Sequence, residues 1–146
     1  MRAYADTSFL VSLYIPETRR TERAVAYMER QREALPFTPF HRLELRNAIR
    51  LMVWAKRITA TDRSRALGEV EDDLDAEIFL IHTSLNFTEA FRHAEQIGAA
   101  HNERVGSRSS DLLHVAAALQ LGFKQFLTFD PKQLDIARAA GLRVDF

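Results

Sequence analysis

Apolar residues along this chain alternate between two rhythms. Short apolar runs suited to buried strands occur at residues 2–5, 35–38, 77–81, 125–128 and 142–144. Between them lie longer stretches with apolar positions at helical spacing: residues 7–14, 19–32, 40–56, 61–74, 85–102, 109–121 and 131–139. Strands that alternate with helices pair in parallel through crossover connections, so the pattern predicts an α/β fold whose parallel sheet is covered by helices on both faces. Pro16, Pro36, Pro39 and Pro131 fall at element boundaries, where a missing N–H and a fixed φ do least harm. Gly122 and Gly141 each follow a helical run and precede a strand, as helix-ending glycines do. No linker, repeat or low-complexity tract interrupts the alternation, so residues 1–146 read as one domain, long enough to bury a core.

Composition narrows the chemistry. Apolar residues make up 47% and charged residues 27%, the balance of an ordinary globular protein. Twenty basic and twenty acidic residues cancel, so any nucleic-acid contact must come from a local basic surface. The basic residues are nearly all arginine, with Lys56, Lys124 and Lys132 the exceptions; that bias suits phosphate but is read first as a trait of genomic base composition. Cysteine is absent, which excludes disulfides, thiolate metal sites and a cysteine nucleophile, and fits an intracellular chain. The N-terminus enters a strand-like segment with no basic, hydrophobic leader, and no apolar run reaches membrane-spanning length. A cytoplasmic protein with no membrane association is expected.

Four acids stand at the ends or starts of these elements, none with an obvious basic partner nearby in sequence: Asp6, Glu44, Asp111 and Asp130. Carboxylates gathered without cations repel one another; a divalent ion removes the repulsion and supplies a Lewis acid for hydrolysis. Asp6 closes the first strand, where it reads equally as a helix N-cap or as a ligand at the carboxyl edge of a parallel sheet. Thr7 and Ser8 place hydroxyls at the same edge. At about 100° per residue, Glu44 shares a helix face with Phe40, Asn47, Ala48 and Leu51, away from Arg42, Arg46, Arg50 and Arg57. An acid on such an inward stripe needs a partner from elsewhere, either a metal or an arginine such as Arg108. Asp111 opens a helix, where a first-turn acid also complements the helix dipole. His114 beside it reads as a packed or hydrogen-bonded histidine rather than a ligand. Asp130 before Pro131 is a common helix start, and a cap can still offer its second oxygen to a metal. The acidic run Glu69, Glu71, Asp72, Asp73, Asp75 and Glu77 spreads around a helix and reads as a solvated face.

The segments carrying these acids resemble those of PIN-domain ribonucleases, most closely the VapC type of bacterial toxin. Residues 4–10 read Tyr-Ala-Asp-Thr-Ser-Phe-Leu, residues 43–48 Leu-Glu-Leu-Arg-Asn-Ala, residues 110–118 Ser-Asp-Leu-Leu-His-Val-Ala-Ala-Ala, and residues 126–130 Phe-Leu-Thr-Phe-Asp. Their order and spacing agree with the family over nearly the whole chain. The resemblance implies a three-layer α/β/α sandwich with a five-stranded parallel sheet. It implies an endoribonuclease dependent on magnesium (Mg²⁺) or manganese (Mn²⁺), with Asp6, Glu44, Asp111 and Asp130 as catalytic and metal-binding residues. Ser8, Arg108 and Thr128 are the candidates for holding the RNA substrate. A homodimer and a cognate antitoxin of a type II toxin–antitoxin pair are the implied partners. Many relatives carry a further acid close after the fourth; here the next is Asp135, too distant to include. A receiver-type signalling module is disfavoured, because the end of the third strand reads Phe79-Leu80-Ile81-His82-Thr83, without an aspartate. A DNA-directed or RNA-processing nuclease that is not a toxin, or a catalytically silent module on the same scaffold, stays open at this point.

Overall fold

The structure, a computed structural model, describes residues 2–16 and 18–146. Its elements follow the expected alternation: β1 (Ala3–Ala5), α1 (Thr7–Tyr14), α2 (Thr18–Gln31), β2 (Leu35–Phe37), α3 (Pro39–Trp54), α4 (Ala60–Ala76), β3 (Leu80–His82), α5 (Phe87–Val105), α6 (Ser109–Gln120), β4 (Gln125–Leu127) and α7 (Pro131–Ala139). The chain divides into two compact units, one made of the residues up to Asp6 with Ser84–Phe146, the other of Thr7–Thr83.

In the first unit β1 and β4 pair in parallel, with Tyr4 opposite Phe126 and Ala5 opposite Leu127. Both strands are buried throughout, the polar Gln125 included. The Asp6 N–H continues the ladder to the Leu127 carbonyl at 3.0 Å. The fifth expected strand, residues 142–144, contributes a single parallel bridge from Arg143 to Gln125. Beyond it the Gln125 amide side chain takes the Asp145 carbonyl at 2.8 Å, so that carbonyl goes to a side chain rather than to a longer ladder. Helix α5 packs on α6, and both pack on α7. Gly98 allows the α5–α6 approach, since a Cβ there would lie 3.1 Å from Leu112 Cδ1.

In the second unit β2 and β3 pair in parallel, Leu35 with Leu80 and Phe37 with His82. The hydrogen-bonded ladders among the described residues are thus two parallel pairs, β1–β4 and β2–β3. The third strand starts later than residue 77, because α4 runs to Ala76 and Glu77 caps it in the left-handed region at φ 53°. Helix α4 begins on a capping box: Asp62 accepts the Thr59 N–H at 2.8 Å and its hydroxyl at 2.9 Å. The backbone bond first, and the hydroxyl second, hold the Asp62 carboxyl below its ordinary value.

Two expectations change here. The acidic run of α4 is not simply solvated: Glu71 meets Arg42 at 2.7 Å and Arg46 at 3.2 Å, and Asp73 accepts the Tyr14 hydroxyl at 2.6 Å. Burial, and then that bond to an acid, push the Tyr14 phenol upward. The buried stripe of α3 is His41, Leu45, Ile49 and Met52, not the face of Phe40, Asn47 and Leu51. Leu45, Ile49 and Met52 stand at i, i+4 and i+7, the spacing of one helix face, and that face enters the core. Asn47 and Leu51 are exposed, and Glu44 sits half-buried at the margin. Among the described residues no helix is long and apolar enough to cross a membrane.

Truncating fully buried Ile49 to Ala should cost about 2–5 kcal/mol. Leu51→Ala, on the exposed side of the same helix, should stay within about 0.5 kcal/mol. Urea unfolding midpoints of the two variants measure the contrast.

Candidate functional site

Asp6 leaves the carboxyl end of β1 only 4% exposed. Its Oδ2 accepts the Thr128 hydroxyl at 2.6 Å. Thr128 follows β4, so the parallel register that sets Ala5 beside Leu127 also brings Thr128 to Asp6. The same hydroxyl oxygen accepts the Asp130 N–H at 3.0 Å. One buried threonine therefore ties the ends of two neighbouring parallel strands and two of the expected acids together. Its hydroxyl is a support for Asp6 in this arrangement.

Asp130 caps α7, its Oδ1 accepting from the N–H groups of Lys132 at 2.8 Å and Gln133 at 3.2 Å. Its Oδ2 faces the guanidinium of Arg108 at 3.8 Å. Asp111, 5% exposed, lies in the first turn of α6. Its Oδ2 accepts the Arg108 N–H at 2.9 Å and lies 3.5 Å from Arg108 Nε, so both bonds fall on one oxygen. The expectation that these acids lack a basic partner is thus corrected for Asp111 and Asp130, which share Arg108. With a side chain 75% exposed, at 3.5 Å from Asp111 and 3.8 Å from Asp130, Arg108 is a solvent-screened counter-charge of about 1 kcal/mol or less.

Glu44 and Ser8 belong to the other unit. Glu44 Oε1 accepts the Thr7 hydroxyl at 2.7 Å, and Thr7 directly follows Asp6 in the chain. Ser8 lies half-buried in the first turn of α1.

Two supporting residues escaped the sequence reading. Gln133 is buried and donates from Nε2 to the Asp111 carbonyl at 3.0 Å, bracing α6 from α7. The spacing Asp130-Pro131-Lys132-Gln133 hints at a capping box, yet the amide reaches a different helix. Asn102 sets the α5–α6 corner: its Oδ1 accepts from the Ser107 N–H at 2.7 Å and hydroxyl at 2.8 Å, and its Nδ2 donates to the Ser107 carbonyl at 2.9 Å. Gly106, at φ 72°, makes the turn between them, and that glycine was the one local signal for the corner.

The carboxylates of Asp6, Asp111 and Asp130 are oxygen donors of the kind a hard divalent cation takes. Among the described residues, no three such side chains stand in a group already arranged to hold a metal ion. The chemistry of the set fits Mg²⁺ or Mn²⁺; the separations are those of acids held by Thr128, the α7 cap and Arg108.

The PIN domain family profile matches residues 3–139. No curated protein matches the sequence. Among solved structures, a chain of the crystal structure of FitAcB from Neisseria gonorrhoeae is similar in fold, with a TM-score of 0.59 and 16% identity over 99% of this chain and 96% of that one.

Thr128→Val removes the donor to Asp6 and the acceptor of the Asp130 N–H, and should destabilise the protein by about 1–3 kcal/mol. Thr128→Ser should recover most of that loss. Thermal unfolding of the two variants decides it.

Proposed function

From the premise that this chain belongs to the PIN domain family, whose members are generally nucleases, we propose that it is a metal-dependent endoribonuclease acting as the toxin of a type II toxin–antitoxin pair. The observation that carries the reading is the placement of two buried carboxylates, Asp6 and Asp111, in one unit with Asp130, two of the three at the carboxyl ends of parallel strands. Open α/β sheets bind ligands along that edge.

In this reading Asp6 and Asp111 anchor a Mg²⁺ or Mn²⁺ ion, and Asp130 completes the set through its second oxygen. Glu44 is assigned to the same role on the family motif. Such an ion supplies Lewis acidity and makes water nucleophilic at neutral pH. The chain's own part is to orient and to neutralise. Thr128 fixes the Asp6 carboxylate, so its donor direction is set before substrate arrives. Arg108, exposed beside Asp111 and Asp130, offers planar N–H donors to a phosphate oxygen of the RNA. Ser8 is assigned to the substrate side as a hydroxyl contact, whereas Thr128, expected there too, is buried with its hydroxyl engaged by Asp6 and Asp130 and is a support instead. Water attack then leaves a 5′-phosphate and a 3′-hydroxyl, without the ribose 2′-hydroxyl as nucleophile.

The partners follow from the same reading: a cognate antitoxin and a second copy of this chain. Helix α3 exposes Leu43 (70%), Leu51 and Trp54 (81%). At helical spacing they fall within an arc of about 80°, and covering such a stripe fits a homodimer.

Asp6→Asn and Asp111→Asn should each lower RNA cleavage by at least about 100-fold while the unfolding curve barely moves. Chelation with EDTA should stop the wild-type reaction, and end-group analysis should show 5′-phosphates. A cyclic phosphate formed in EDTA would refute this route. Cleavage of DNA in preference to RNA would move the assignment to another nuclease of the family. Trp54→Glu should convert the dimer to a monomer in sedimentation velocity.

A further inference from the structure

We infer that Tyr4 and His114 are a positioning pair that sets the separation of Asp6 and Asp111; the inference rests on the metal-site reading above. Tyr4 is wholly buried on β1, His114 is almost so on α6, and the phenol oxygen lies 2.8 Å from His114 Nδ1. The bond joins residues 110 positions apart. Each partner is in phase with one of the acids. Tyr4 precedes Asp6 by two strand positions and so shares its face of the ladder. His114 follows Asp111 by three helical positions and so lies over the same side of α6.

Direction completes the geometry. Helix α6 enters β4 through residues 121–124, so it runs opposite to β4 and to its parallel neighbour β1. Moving from Tyr4 to Asp6 therefore climbs toward the same end as moving back from His114 to Asp111. Two strand residues rise about 6.6 Å and three helical residues about 4.5 Å. The Tyr4–His114 bond is thus a fixed rung one step below the two acids, on the seam between their elements.

Apolar contacts line the same seam. Tyr4 stacks on Phe126 with ring centroids 5.5 Å apart and meets Phe123 edge-on at 6.3 Å, while Val115, Ala117 and Ala118 are fully buried. Apolar contacts resist separation but tolerate sliding and rotation; a single directional bond selects one register. A phenol and an imidazole placed there specify where α6 sits along β1, and with it where Asp111 stands relative to Asp6. Outer residues that orient metal ligands commonly alter affinity by about 10–100-fold when removed.

The test is manganese titration calorimetry on the intact chain, with unfolding curves taken alongside. Tyr4→Phe keeps the ring and its stacking and removes only the hydroxyl. Tyr4→Phe and His114→Leu should each weaken Mn²⁺ binding by about 10-fold, whereas His114→Asn, which keeps an acceptor near the Nδ1 position, should recover most of the loss. A purely structural role would lower the unfolding temperature and leave the manganese affinity of the folded variants unchanged. Wild-type affinity in Tyr4→Phe, with binding lost in Asp6→Asn, overturns the positioning pair alone. Wild-type affinity in both Asp6→Asn and Asp111→Asn overturns the metal set and the pair with it. Should His114→Leu fail to fold, Tyr4→Phe decides the matter by itself.

Discussion

A carboxylate taken out of water must be compensated, and in this protein that requirement shapes the ground around Asp6 and Asp111. Isolated burial of such a charge costs several kcal/mol even after relaxation. Both acids are almost inaccessible, and both are met by local donors: the Thr128 hydroxyl for Asp6, the Arg108 N–H for Asp111. For Asp111 the Arg108 guanidinium stays in solvent at 3.5 Å, so that contact is not a tight ion pair. Asp111 is therefore steadied by that cation without being sealed by it. That is the electrostatic condition a divalent ion would need to find.

The backbone supplies the precision. Parallel pairing of β1 with β4 sets the residues just beyond one strand beside those just beyond the other. Asp6 and Thr128 meet for that reason, across 122 positions of sequence. The turn after β4 then delivers Asp130 to the start of α7, where its carboxylate finishes the helix's unsatisfied N–H groups. On the other flank, Gly106 and Asn102 stop α5 and start α6 so that Asp111 falls in a first turn. Gln133 closes the circuit by holding the Asp111 carbonyl from α7. Caps, corner and ladder thus perform folding duties with the same residues that the nuclease reading assigns to chemistry.

The second unit is organised differently. Its helix α3 gives Leu45, Ile49 and Met52 to the core and leaves Leu43, Leu51 and Trp54 in solvent. Arg42 and Arg46 are engaged by Glu71 of α4. Glu44 is steadied by Thr7, the residue after Asp6. Exposed apolar side chains thus share this helix with two arginines that an acid already engages.

Much of this was legible in the amino-acid order. Apolar periodicity located the seven described helices and the four paired strands to within a few residues, because buried strands and amphipathic helices leave different spacings. Proline and glycine marked most boundaries for steric reasons that act within one turn of chain. The family followed from four short motifs in order. What local order did not carry was every relation between distant segments. The face of α3 that enters the core depends on which of two apolar stripes finds the larger complementary surface. Gln133 reaching Asp111, Arg108 standing between two acids and Tyr4 meeting His114 depend on strand register and helix placement, which arise only when remote parts of the chain pack. Short-range sterics write the elements into the sequence; partners in space are chosen by tertiary packing, because burial and hydrogen bonding reward proximity irrespective of distance along the chain.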